Sequence, residues 1–307
     1  MRQLEKLNSN RQKANLTKYL SNNDIHNKYL NDSITINEIK NAIRQQKNNK
    51  AVGIDNIPAE IFKANIDWWA NELHACFKLL WNKTHPKGWQ CGIIIFFFKK
   101  GDKRNINNYR PITLLPTIYK IWCTILSNRL TPILNLLTNE QQCAYKTNKS
   151  TMDIIYLIKN KYIKGEIKGQ ILLDLSKAFD RINRSKLWYI LYEYGLPENL
   201  LYAIVNSHQN TQLSARHQNN RGPLIPNNIG VFQGNPLSPQ LFIIYAAHAM
   251  NNYNANLNSD LINLYPLVTR SENTEHNWSN FVLKLKTKNI NDELPVWKND
   301  PSATKEK

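Results

Sequence analysis

Gln170-Ile171-Leu172-Leu173-Asp174-Leu175-Ser176-Lys177-Ala178-Phe179-Asp180 is the stretch on which the reading of this chain turns. Gln170 to Leu175 form a short apolar run, expected to be a strand that ends in an aspartate-bearing loop. A carboxylate at the end of a buried strand is held rigidly at a sheet edge. Two-metal phosphoryl transfer needs such a group, a fixed oxygen between two divalent ions roughly 3.5–4 Å apart. Asp174 is the candidate ligand, assisted by the backbone carbonyl of Leu175. The competing reading is structural: Ser176 or Asp180 can cap the helix that follows, and for Asp180 that role is favoured.

Downstream, Leu187, Ile190, Leu191 and Tyr194 recur at helical spacing, and Gly195-Leu196-Pro197 stops that helix. A polar hairpin region leads to the turn Gly234-Asn235-Pro236, which opens an apolar helix from about Pro239 to Met250. Upstream, helices are expected around Met152 to Ile163 and Ile118 to Leu130, the second with Ile118, Ile121, Trp122 and Ile125 on one face. A strand spans Ile93 to Phe98 and runs into a basic turn from Lys99 to Arg104. Another helical pattern runs from Ala59, interrupted near Asp67, to about Trp81. Thr35 with Glu38 three residues on is a capping box for a helix reaching about Gln46. Strands mixed with helices in this order imply an α+β fold.

Composition narrows the partners. Lys and Arg number 40 against 23 Asp and Glu, a formal net charge of +17, so a polyanion is the first candidate, and a merely solvated basic surface the plainer one. No apolar run reaches the length of a membrane span, and the first residues lack a secretory signal. An intracellular protein, in cytoplasm or nucleus and not secreted, is expected. Cys76, Cys91, Cys123 and Cys143 lie far apart and are expected to be reduced packing residues; His74, Cys76, His85 and Cys91 fit no metal-ligand spacing.

Five blocks, in order, resemble the reverse transcriptase of LINE-type (non-LTR) retrotransposons. Lys50-Ala51-Val52-Gly53-Ile54-Asp55-Asn56-Ile57-Pro58-Ala59-Glu60 resembles the family's K-A-P-G-x-D-G-I-P-A-E block. Lys99-Lys100-Gly101-Asp102 with Asn108-Tyr109-Arg110-Pro111-Ile112 resembles K-K-G-D … N-Y-R-P-I. Gln142 to Lys146 and Lys149 to Asp153 are similar to Q-x-G-F-R-x-x-R-S-T-x-D, and Gly230 to Pro239 to motif B, G-V-x-Q-G-x-P-L-S-P. Asp174 with Phe179 resembles motif A, in which the aromatic residue excludes a ribose 2′-hydroxyl.

The resemblance implies a right-hand polymerase fold, with fingers plus a partial palm and the thumb absent. Residues 1–32 are a flexible lead-in, 33–165 the fingers region, 166–250 the partial palm, and 251–307 an unassigned polar tail. It implies RNA template, DNA primer and dNTP as partners, no membrane, and Mg²⁺ or Mn²⁺ at Asp174 and the Leu175 carbonyl. Lys99, Lys100, Arg110, Phe179, Gln233 and Gly234 become candidate nucleotide-binding residues, and Lys146 and Lys149 nucleic-acid contacts. An arginine fork clamps phosphate oxygens bidentately, which suits Arg110 to a triphosphate. The chain departs from the pattern at Ala144, Lys146, Lys149 and Phe232. The family's Y-x-D-D box is missing: no Asp or Glu lies between Asn199 and Ser259, and Tyr245-Ala246-Ala247-His248 only imitates it inside the apolar helix. The expectation is a remnant truncated after motif B, inactive alone; the alternative is a non-catalytic basic RNA- or DNA-binding module.

Overall fold

The computed structural model describes residues 30–81, 86, 88–137, 142–146, 148–166, 170–172, 175, 177–218, 220–254 and 286–288. They fall into two compact units: residues 1–139 with 179–264, and residues 140–178 with 265–307.

The first unit is built on a mixed sheet. Strand β1 (Cys91–Phe98) pairs antiparallel with β2 (Tyr109–Leu114), from Ile93 opposite Leu114 to Phe98 opposite Tyr109. On its other edge β1 pairs in parallel with β4 (Gln212–His217), over Cys91 to Ile94 only. Strands β5 (Asn220–Arg221) and β6 (Ile225–Pro226) each add antiparallel to β4. A parallel pair needs a crossover, and helices supply it. They are α4 (Thr117–Leu137), α6 (Arg184–Glu193) and α7 (Glu198–Ser207). Helices α1 (Ile36–Gln45), α2 (Ala59–Ala64) and α3 (Ile66–Trp81) precede the sheet, and α8 (Ser238–Asn254) ends the unit.

An aromatic core forms where α3 meets α4. Phe77 packs edge-on against Trp122 at 5.2 Å and Trp81 does so at 6.3 Å, in the tilted geometries ring quadrupoles favour. The stripe Ile121, Trp122 and Ile125 is buried, continued by Leu126, Leu130 and Ile133. The capping box of α1 forms as its sequence implies: Thr35 N–H donates to Glu38 Oε2 at 2.9 Å, and Glu38 N–H to Thr35 Oγ1 at 3.3 Å. Glu38 also receives Arg129 from α4, through Nε to Oε1 at 2.6 Å and Nη2 to Oε2 at 2.8 Å. The rest of that guanidinium donates to the carbonyls of Asp32 and Ser33 and lies over the Trp81 ring, 4.6 Å from its centroid.

Two elements go beyond the sequence expectation. The segment after Pro197 is the helix α7, burying Leu200, Ala203 and Ile204, before the hairpin strands begin. Those apolar residues recur at i, i+3 and i+4, a helical signal beside the more conspicuous polar letters downstream. Tyr109 to Leu114 form a strand although Pro111 interrupts the run. Pro111 sits on an edge-strand position, which tolerates a missing N–H. The helical run from Ala59 is interrupted at Asn65, near Asp67 as the sequence implies.

The second unit contains α5 (Thr151–Ile163) and a pair of antiparallel strands, β3 (Gln170–Leu172) with β7 (Lys286–Lys288). Strand β7 lies in the tail that the sequence leaves unassigned. Ser150 N–H donates to Asp153 Oδ2 at 2.7 Å and starts α5. Cys91, Cys123 and Cys143 are buried, Cys76 is half-buried, and all four thiols are free. Among the described residues no helix is long and apolar enough to cross a membrane.

Candidate functional site

Three segments far apart in sequence meet in the first unit: strand β2, the segment 179–182, and the loop 230–235. Gln233 O accepts the Thr113 N–H at 2.7 Å, which lays the loop along the outer edge of β2. Val231 N–H donates to Phe179 O at 2.9 Å and Gly230 N–H to Ile182 O at 2.8 Å, which ties the same loop to the segment 179–182. The Gln233 side-chain amide points at both Asp180 carboxylate oxygens, 3.4 and 3.5 Å away. The Phe179 ring stacks on Phe242 of α8 at 5.0 Å, nearly parallel. Asp180 therefore orients Gln233, while Phe179 is braced from below by the helix that follows the loop.

Glycine is required where these segments touch. At Gly234, φ is +124° and a β-carbon would stand 2.5 Å from the Thr113 carbonyl oxygen. At Gly230, φ is +73° and a β-carbon would stand 2.7–2.8 Å from the Asp180 backbone. Gly53, in the block read from the sequence as Lys50 to Glu60, has the same reason: its β-carbon would meet the Leu115–Pro116 backbone at 2.4–2.6 Å. Gly234→Ala is expected to destabilise the unit by about 1–3 kcal/mol from backbone strain alone, and by more from the clash with Thr113. Urea unfolding measures it, with Gly165→Ala as the control. Gly165 also has positive φ, at +72°, but nothing within 4 Å of its would-be β-carbon. Equal losses at the two positions would contradict the close approach.

The sequence-predicted cations separate into two groups. Arg110 is half-buried on β2 opposite Phe97. It shares a face of the strand with Ile112, whose Cγ2 lies 3.8 Å from the would-be β-carbon of Gly234. Lys99 and Lys100 stand further out: Lys99 N–H closes the hairpin on Asn108 O at 2.8 Å, and Lys100 is exposed beyond it. At 3.3–3.4 Å per residue Arg110 lies roughly 10 Å along the strand from Thr113 and roughly 7 Å from Asn108, the partner of Lys99, so all three hairpin cations stand toward the end of the ribbon away from Gly234. Lys146 and Lys149 belong to the second unit, where Lys149 is exposed. Asp174 lies outside the described residues; Leu175, its neighbour, is half-buried in the second unit. Among the described residues no group of three or more His, Cys, Asp or Glu is placed to hold a metal ion.

Sequence reasoning missed Arg184. It is buried at the start of α6, and its Nε donates to Gly230 O at 2.7 Å. Its Nη1 donates to His208 O at 2.7 Å, Asn227 O at 2.9 Å and Thr211 Oγ1 at 3.0 Å. One guanidinium thus fixes both ends of the 208–230 segment and delivers the loop 230–235 to β2 and the segment 179–182. Burial pushes its pKa down to about 10, so it stays charged at neutral pH. The available signal was a cation in the first turn of a helix, where the macrodipole opposes it, so that its contacts must compensate.

A family profile described as "Reverse transcriptase (RNA-dependent DNA polymerase)" matches residues 98–266. The chain is 28% identical over 218 residues to the "Transposon TX1 uncharacterized 149 kDa protein" of Xenopus laevis, covering 69% of this chain and 17% of that protein. It is 25% identical over 224 residues to the "RNA-directed DNA polymerase from mobile element jockey" of Drosophila melanogaster, covering 70% of this chain and 24% of the other. The chain therefore spans a quarter or less of these relatives' length. Among solved structures, the "Partial Cas6-RT-Cas1--Cas2 complex" aligns with a TM-score of 0.39 at 19% identity, over 72% of this chain and 33% of that one.

Proposed function

Since the chain belongs to the reverse transcriptase (RNA-dependent DNA polymerase) family, and its curated relatives include polymerases of non-LTR mobile elements, we propose that it forms the fingers and part of the palm of such a polymerase. It would act on an RNA template, a DNA primer and dNTPs, inside the cell, in cytoplasm or nucleus. The observation that carries this reading is the convergence of β2, Phe179-Asp180 and Gln233-Gly234 through Thr113, Gly230 and Gly234. A loop whose glycine lets the backbone come within a carbonyl's reach of a strand, with an arginine on the adjacent strand face, suits an incoming nucleotide. Phe179, braced on Phe242, would bound the sugar. Arg110 would meet the triphosphate, with Lys99 and Lys100 further out. In the second unit, Lys146 and Lys149 would contact the nucleic-acid backbone.

Asp174 and the Leu175 carbonyl would hold Mg²⁺ or Mn²⁺, which supplies charge neutralisation to phosphoryl transfer. The family's acidic pair has no counterpart between Asn199 and Ser259, so the chain by itself is proposed to bind substrates without extending a primer. Primer extension on an RNA template with Mg²⁺ or Mn²⁺, run beside a gel-shift assay on the same preparation, tests both halves of the proposal. A shift without extension is the expected outcome; extension would overturn the inactivity, and neither would overturn the nucleic-acid reading. Arg110→Ala is expected to weaken dNTP binding by roughly 1.5–3 kcal/mol, the range for a hydrogen bond to a charged group. Unchanged affinity by calorimetry would remove Arg110 from the site.

A further inference from the structure

Helix α4 buries an apolar stripe, and a second line along it carries Tyr119, Cys123, Ser127 and Thr131, each with a polar side-chain atom. Residues four apart form one ridge of a helix, so these four make a single row. The row runs along the start of α8 and the loop that precedes it. Thr131 Oγ1 accepts from Gln240 Nε2 at 2.7 Å, and the Ser127 hydroxyl donates to Pro236 O at 3.4 Å. One turn further along α4 stands Cys123, then Tyr119; one residue further along the loop stands Asn235. Burial pushes the Cys123 thiol up to about 12, and Tyr119 and Asn235 beside it pull the other way.

Asn235 is 3% exposed, and the two ends of its amide are used unequally. Its Oδ1 accepts the Leu237 N–H at 2.9 Å and so shapes the turn into α8. Its Nδ2 is buried and has no hydrogen-bond partner among the described residues. A buried donor left open is unfavourable, and a serine would close the same turn through its hydroxyl oxygen without carrying that donor. The turn alone therefore does not account for the amide. Across the seam, the fully buried Tyr119 hydroxyl donates to Ser207 O at 2.6 Å and keeps lone pairs with which to accept. The Cys123 sulfur is the weaker acceptor of the two.

We propose that Asn235 is a positioning residue for the nucleotide: when a dNTP seats against Gln233 and Gly234, the loop settles onto α4 and Asn235 Nδ2 closes on the Tyr119 hydroxyl. Gln233 and Gly234 touch the ligand, and Asn235 acts through them from the adjoining position. Closing satisfies the open donor, so the contact favours the occupied loop over the empty one. The Ser127 and Thr131 contacts hold the rest of the seam in register while the loop settles. The proposal rests on the nucleotide reading of this loop.

The test is calorimetric titration of the full chain with dATP and Mg²⁺, beside urea unfolding of the same preparations. Asn235→Ser keeps an acceptor for the turn and removes the amide. It is expected to weaken dATP binding roughly three- to tenfold, the worth of one hydrogen bond, with the unfolding midpoint unchanged or raised. Tyr119→Phe should weaken binding by a similar factor, and should also lower the midpoint because Ser207 O loses its donor. The two together should weaken binding no more than either alone, since each breaks the same contact, while their effects on unfolding add. Wild-type affinity in Asn235→Ser would overturn the positioning role and leave the nucleotide reading intact. A double variant whose affinity loss is the product of the single losses would equally overturn it. So would a loss in Asn235→Ser that follows a fall in its unfolding midpoint, which would reduce Asn235 to a residue of the turn. No dATP binding by the wild type would overturn both readings.

Discussion

Arg184→Leu is expected to cost roughly 2–6 kcal/mol of stability, the sum of two buried carbonyls left without donors at about 1–3 kcal/mol each. The two are Gly230 O and His208 O; Asn227 O keeps the Thr211 hydroxyl as a donor. Leucine fills most of the volume but supplies no hydrogen. The loss should also reach the site, because Gly230 O is the point from which the 230–235 loop is aimed at Phe179 and Thr113. Urea unfolding and dNTP affinity, measured on the same preparations, check both consequences. Arg184→Lys should recover part of the stability, since one ammonium can reach some of the four acceptors but not in the guanidinium's fork geometry. A loss below about 1 kcal/mol, or a stability loss with the affinity of the folded fraction untouched, would reduce Arg184 to a filler of space.

The second large effect belongs to Arg129→Met, expected to cost about 3–5 kcal/mol because it leaves the Glu38 carboxylate buried without its counter-ion. Arg129 is fully buried and the Glu38 side chain is 13% exposed. Arg129→Met combined with Glu38→Gln should recover much of that loss, since the cost lies in the stranded charge rather than in the missing pair. Burial opposes ionisation of Glu38, but the Arg129 guanidinium and the Thr35 donors outweigh it and hold its carboxyl below the usual value. A folded pKa lower than the unfolded one means that stability from this group is complete above the unfolded value, about 4.3, and is lost as pH falls through the folded one. Glu38→Gln should lack that part of the acid dependence. A double variant as unstable as Arg129→Met would show that the arginine's packing against Trp81, and not its charge, carries the effect.

Much of the local structure was legible in the letters. The capping box at Thr35 and Glu38, the buried stripe of α4, the strand ending at Phe98 and the helix from Ser238 all follow from short-range spacing. Short-range spacing is also where the legibility stopped. Leu200, Ala203 and Ile204 carry the helical spacing of α7, but only three such positions precede the polar residues of the hairpin. Tyr109 to Leu114, to which spacing assigns no element, became a strand because β1 was there to pair with it.

What the sequence by itself determined was the family, through five blocks in fixed order, the cationic balance of +17, and the positions where glycine stands at Gly53, Gly230 and Gly234. Only the tertiary structure decided why those glycines are needed: each faces a backbone segment 50 or more residues away, at a distance no side chain could share. It alone showed Arg184 as the clamp of the 208–230 segment, and it set Arg110 on the same strand face as Ile112, which meets the Gly234 loop. Periodicity and capping are written in residues three or four apart, where a helix or strand repeats. Which strand edge a loop will meet, and which buried carbonyls an arginine will find, depends on how those elements pack, and no local pattern encodes it.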